Sequence, residues 1–137
     1  MKIKNHIIEF DTSSHFQYVD ITDEIENIIT KEGVDEGVVI LHEVHTTGAL
    51  VVQEGDETVH EDTHELLEEL VSTDRSYRHG YEGSVNAAAH IKNQILGCSV
   101  SIPIIKGRLA LGAWQRIFFI EMFRARHRKV VASIIGA

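Results

Sequence analysis

The sequence predicts an α+β fold: one domain over residues 1–137, with about three helices packed on one side of a largely antiparallel β-sheet. Three observations carry this. The chain has 137 residues, within the roughly 100–200 of a single domain. About seven short segments are rich in β-formers, and most are neighbours along the chain. Three longer segments place apolar residues at helical spacing. A chain of this length buries roughly two thirds of its unfolded surface, so it needs no disulfide or metal merely to fold.

Residues 3–10, with Ile7, Ile8 and Phe10, read as a strand. Residues 22–32 read as a helix. Thr22 is its expected N-cap, Asp23 and Glu24 fill the first turn, and Gly33 follows the end. Ile21, Ile25, Ile28 and Ile29 make its apolar stripe. Gly37-Val38-Val39-Ile40-Leu41 starts a strand running towards His45, and Ala49–Gln53 is the next. Residues 57–71 read as an acidic amphipathic helix with Val59, Leu66, Leu67 and Leu70 on one face. A polar loop over 72–83 leads to a helix over 84–96, with Ser84 as expected N-cap and Gly97 past its end. From Cys98 on, Val100, Ile102 and Ile104 alternate, Lys106-Gly107 turns, and Leu109 and Leu111 follow. Ile117–Glu121 and Val130–Ile135 are the last strands. Such a final meander leaves edges and a flat apolar surface, which invites oligomerisation.

A net charge of −8 argues against nucleic-acid binding, which draws on clustered Lys and Arg. Arg124, Arg126, Arg128 and Lys129 do crowd together around His127. They suit either an anion or a solvated turn, and composition favours the turn. One cysteine, Cys98, permits no internal disulfide, and the N-terminus lacks a signal-peptide core. No run approaches the ~20 apolar residues of a membrane span. No membrane partner and a cytoplasmic location are the expectation.

His60-Glu61-Asp62-Thr63-His64 fits the H-E-x-x-H pattern of zinc proteases. On a helix, however, Glu61 falls opposite the apolar stripe, while a catalytic base must reach the metal-bound water. The pair reads as surface histidines beside glutamates.

Other clusters are more telling. In order they are His45-Thr46-Thr47-Gly48-Ala49, Gln53-Glu54-Gly55, Tyr77-Arg78-His79, Asn86-Ala87-Ala88-Ala89-His90-Ile91-Lys92, Ile102-Pro103-Ile104 and Gly107–Gln115, followed by Glu121. In this order and spacing the series resembles the YjbQ-like family of small uncharacterised proteins, over about three quarters of the chain. The resemblance implies a compact α+β homotrimer. It also implies a secondary thiamine-phosphate synthase activity, joining an aminopyrimidine diphosphate to a thiazole phosphate with loss of pyrophosphate. His45, His79 and His90 match the family's histidines and so look like a metal or catalytic cluster. Asp62 matches an acidic position, whereas His42, His60, His64 and His127 match nothing. Two stretches depart from the pattern: Gly48 stands where alanine is usual, and Glu121–Arg126 lacks the Asp-Gly-Pro of the last hairpin.

Three neutral imidazoles with one open position suit a divalent metal, Zn²⁺ above all. The expected catalytic set is therefore His45, His79 and His90, which also serve as metal ligands, with Glu54 or Asp62 orienting them. Thr46, Thr47, Arg78, Asn86, Lys92, Gln115 and Arg126 are expected around the substrate, a small phosphorylated molecule or anion. Arginines and a metal would neutralise a departing pyrophosphate. Two other readings fit the same residues. One is a zinc-dependent hydrolase of a small phosphate or ester; the other is a regulatory module that only holds a metal or anion.

Overall fold

Eight strands and three helices follow one another in a computed structural model that describes residues 1–137. They are β1 (Lys2–Asp11), β2 (Gln17–Asp20), α1 (Thr22–Glu32), β3 (Glu36–Glu43), β4 (Gly48–Glu54), α2 (Glu57–Leu70), α3 (Ser84–Leu96), β5 (Ser99–Ile105), β6 (Arg108–Leu109), β7 (Gln115–Glu121) and β8 (His127–Gly136). The α+β class holds, and every strand pairing is antiparallel. The strands divide between two sheets: five strands in the order β1-β8-β3-β5-β6, and three in the order β2-β7-β4. β2 is the strand that the sequence does not announce. Its four residues carry too little alternation, and it exists by pairing Tyr18 with Ile120 and Val19 with Phe119.

Alternation then builds the layers. Val39 and Leu41 of β3, Ile102 and Ile104 of β5, and Val130, Ala132 and Ile134 of β8 point from the large sheet into one core. They meet Leu50 of β4 and Ile117 and Phe119 of β7 from the small sheet, with Ile25 and Ile29 of α1 closing the end. The small sheet's other face carries Ala49 and Ile120, against which Ala89 of α3 packs. The large sheet's outer face is uncovered. Apolar burial at about 25 cal/mol per Å² makes the inter-sheet core the main stabilising term.

The helix ends show where local rules gave way to tertiary ones. Gly33 does close α1, with φ 65° and its N–H on Ile29 and Thr30 carbonyls. Thr22 is not the cap. Asp20 accepts its N–H (2.9 Å) and its hydroxyl (2.7 Å), while the Thr22 oxygen accepts the Ile117 N–H (2.8 Å). Ser84 likewise donates its hydroxyl to the Thr73 carbonyl instead of capping α3.

In α2 only Leu67 is buried, and Leu66 and Leu70 are 63% and 70% exposed. The expected stripe is thus rotated, and His60 and His64 are half-buried rather than freely solvated. His60 stacks on Tyr18 with ring centres 3.8 Å apart, and His64 stacks on Phe16 at 4.1 Å. The aromatic rings beside and on β2 give these imidazoles flat platforms. His60 Nε2 bonds the Glu54 carbonyl at 2.9 Å and Glu61 is exposed, so the protease-like motif assembles no metal site.

Candidate functional site

Three elements converge beside the edge of the small sheet: the turn between β3 and β4, the start of α3, and the start of β8 with the loop before it. They enclose a cavity of about 310 Å³ walled by His45, Thr46 and Thr47, by Glu82, Asn86 and His90, and by Arg126 and Arg128.

The turn holding His45 is fixed from both sides. Glu43, buried at the end of β3, accepts the His45 backbone N–H at 2.9 Å. Asn93 of α3 donates to the Gly48 carbonyl at 2.7 Å. Gly48 replaces the alanine of the resemblance's pattern, and a Cβ there would run into the Phe119 ring. The imidazole of His45 reaches β8, where Nε2 accepts the Lys129 N–H at 2.9 Å. Burial, then the Arg128 and Arg126 charges, holds the His45 pKa below its usual 6.5. A neutral ring whose Nε2 accepts a hydrogen bond carries its proton on Nδ1.

Beneath the cavity lies a fully buried ion pair. Arg128 Nε donates to Glu121 Oε1 at 2.7 Å, and a second guanidinium nitrogen bonds both Glu121 Oε2 and the Thr47 hydroxyl, the latter at 3.0 Å. Glu121 also accepts the Thr12 hydroxyl (2.8 Å) and the Phe123 N–H (3.0 Å). Those bonds hold the connection from β7 to β8 without Asp-Gly-Pro, and it crosses from one sheet to the other instead of closing the expected hairpin. Thr12 further binds Arg126 through both backbone and hydroxyl, which leaves the exposed Arg126 side chain at the cavity with no carboxylate partner.

Asn86 is the least satisfied residue in the molecule. It is buried, and its Oδ1 is the one buried side-chain polar atom without a hydrogen bond. Burying such a group unpaired costs about 1–3 kcal/mol, and this one lines the cavity.

His79 and His90 come together as expected, with ring centres 4.9 Å apart. Their third neighbour is Glu82: one donor atom from each of His79, Glu82 and His90 lies within 4.8 Å of the others. His45 stands across the cavity, outside this group, with its Nε2 already committed to Lys129. Asn86 and His90 share one face of α3, while Glu82 lies in the turn just before the helix, where helical spacing gives no signal for it. On the other side of His79 and His90 is a second cavity of about 630 Å³, lined by Arg75, Tyr77, Arg78 and Gln94 among others. Arg78 therefore borders the site through its neighbour.

Four expected residues lie elsewhere. Glu54 and Gln115 pair with each other at the end of β4–β7 opposite Gly48 and Glu121, about 20 Å away at ~3.3 Å per residue. Asp62 is exposed on α2 and lines neither cavity. Lys92 is buried on the far face of α3, 3.4 Å from Glu68.

A family model described as "UPF0047 protein YjbQ-like" matches residues 6–137. A UPF0047 protein of Archaeoglobus fulgidus is 40% identical over 124 residues, covering 90% of this chain and 95% of its own. The YjbQ protein of Salmonella typhimurium is 35% identical, covering 85% of this chain and 86% of its own. Among solved structures, a hypothetical protein from Aeropyrum pernix superposes with a TM-score of 0.91 at 34% identity, covering 98% of this chain and 99% of that one. A protein of unknown function from Sulfolobus solfataricus gives 0.89 at 31% identity, covering 99% of this chain and 100% of that one.

Proposed function

The chain belongs to the UPF0047 YjbQ-like family, and we propose that it binds the phosphate of a small molecule in the cavity between His45 and His90. The observation that carries this reading is the exposed Arg126 guanidinium, which lines this cavity and has no carboxylate partner. A phosphate accepts N–H bonds from it. Arg126 supplies a planar cationic donor, and the Asn86 Nδ2, the Thr46 hydroxyl and the Nδ1–H of neutral His45 add neutral donors.

The chemistry we assign is group transfer on such a phosphate ester, with thiamine-phosphate formation as the specific case. There a carbon–nitrogen bond forms as the bond to pyrophosphate breaks, and the leaving group takes the electron pair. Fixed donors aimed at that developing charge lower the barrier and need little reorganisation. Titration calorimetry with pyrophosphate, followed by turnover of the two phosphorylated precursors, tests both layers. Asn86→Ala and Arg126→Ala should each weaken pyrophosphate binding about tenfold or more, and His90→Ala should abolish turnover while the fold persists. Pyrophosphate affinity unchanged in both variants refutes the pocket. Turnover unchanged in His90→Ala refutes the synthase assignment, leaving hydrolysis of a small phosphate or ester, or anion binding without catalysis.

A homotrimer is part of the same proposal. The bare face of the large sheet carries an unbroken cross-strand row of Ile3, Ile135, Val38 and Pro103, with Ile7 beside Val131 further along. A contiguous apolar surface on a chain of this size favours a second copy of itself. Sedimentation should give a three-chain particle that Ile3→Lys dissociates. A wild-type protein that sediments as single chains would rule the assembly out.

A further inference from the structure

Of the nine histidines, six spend a ring nitrogen on a hydrogen bond within the fold: His6, His15, His42, His45, His60 and His127. Three do not. His64 is stacked flat on Phe16. The other two are His79 and His90, and they stand together with a carboxylate, Glu82, whose oxygens also have no partner in the fold. Elsewhere in this chain a histidine beside a carboxylate bonds to it directly, as His6 does to Glu32 and His127 to Glu9. Here two imidazoles and a carboxylate converge without bonding one another.

We propose that His79, Glu82 and His90 bind a first-row divalent cation of the zinc class. Two imidazole nitrogens and one carboxylate oxygen are a borderline donor set that suits Zn²⁺ and its neighbours, whereas Mg²⁺ and Ca²⁺ prefer oxygen alone. The dimensions agree. Ligand atoms around tetrahedral zinc lie about 3.4 Å apart for bonds near 2.1 Å. The donors here are within 4.8 Å of one another, a gap that side-chain rotation closes. His79 and Glu82 are exposed and free to make that rotation, and His90 projects from rigid α3. A second, independent observation lies on the face of α3 that carries His90. Asn86, four residues from both Glu82 and His90, holds the buried oxygen that lacks a hydrogen-bond donor, and a hydrated cation supplies one. The set opens on both cavities through His90, which places the cation beside the proposed phosphate. It replaces the His45–His79–His90 trio that the motifs alone suggest.

The experiment is calorimetric titration of chelator-treated, full-length protein with ZnCl₂, with the thermal midpoint as a second readout. One Zn²⁺ per chain is expected, with a raised midpoint and no such rise with Mg²⁺. Glu82→Gln should weaken binding about 10–100-fold, and His79→Ala or His90→Ala should remove it. A His60→Ala/His64→Ala variant should bind as the wild type does. No binding overturns the inference. So does binding that survives Glu82→Gln and His79→Ala unchanged, two exposed sites whose replacement spares the fold, or binding that disappears instead in the His60/His64 variant. The titration contains no phosphate, so zinc binding and pyrophosphate binding stand or fall separately.

Discussion

Replacing Arg128 by methionine should remove about 3–5 kcal/mol of stability, a large share of the ~5–15 kcal/mol of an ordinary domain. The reason is burial. Arg128 and Glu121 are 1% and 0% exposed, so neither can recover its hydration when the other is removed. Glu121 would keep the Thr12 hydroxyl and Phe123 N–H but lose the guanidinium that balances its charge. Salt screens buried charges weakly, so the loss should persist at high ionic strength. Arg128→Met combined with Glu121→Gln should regain more than half of it, because a neutral amide can still accept the Phe123 N–H. Urea unfolding of the two single variants and the double variant measures this. A single Arg128→Met change costing under about 1 kcal/mol contradicts it. The same substitution should disturb the cavity, since Arg128 holds Thr47 and the adjacent Lys129 N–H holds His45.

That dependence shows why the site was only partly legible in the sequence. His45, Thr46, Thr47, Asn86, His90 and Arg126 were named from their motifs, and all six line one cavity. The motifs sit at element ends that the fold brings together. The misplaced residues fail for geometric reasons that linear spacing hides. Lys92 is two residues beyond His90, a rotation of about 200° around a helix, so it cannot share the cavity wall. Glu54 and Gln115 are excluded by the β4–β7 register, which sets them opposite each other at the far strand end. A register belongs to a pair of strands, and neither strand states it alone. The extents of the helices were legible because a helix carries its own repeat, although the buried face of α2 was not. β2 was not, because its evidence lies in β7 and in the histidines of α2 that stack against it. Arg128 looked like one of several basic residues in a turn, and only the buried Glu121 distinguishes it.

Glu43 should make the chain lose stability as pH rises from about 4.5 to 7, the reverse of the usual carboxylate effect. Burial comes first among the causes and lifts its pKa from 4.5 to about 7; the nearby Glu121 charge adds to this, while the His45 N–H, Arg128 and Asn93 pull the other way. A carboxyl that holds its proton more tightly in the folded chain than in the unfolded one binds more protons when folded across that interval. Stability is therefore fully present below about pH 4.5 and is lost as pH climbs through the folded value near 7. At about 1.4 kcal/mol per unit, the span amounts to roughly 3 kcal/mol. Glu43→Gln keeps an acceptor for the His45 N–H and cannot ionise. Other groups titrate in the same range, so the informative quantity is the variant's unfolding free energy minus the wild type's at each pH. That difference should be lowest near pH 4.5 and rise by about 3 kcal/mol by pH 8, where the variant is the more stable protein. A difference that stays level between pH 4.5 and 8 would show that Glu43 ionises inside the fold at little cost. In that case hydrogen bonds from the His45 turn and the Arg128 charge outweigh desolvation, and the turn holding His45 rests on a carboxylate rather than on a carboxylic acid.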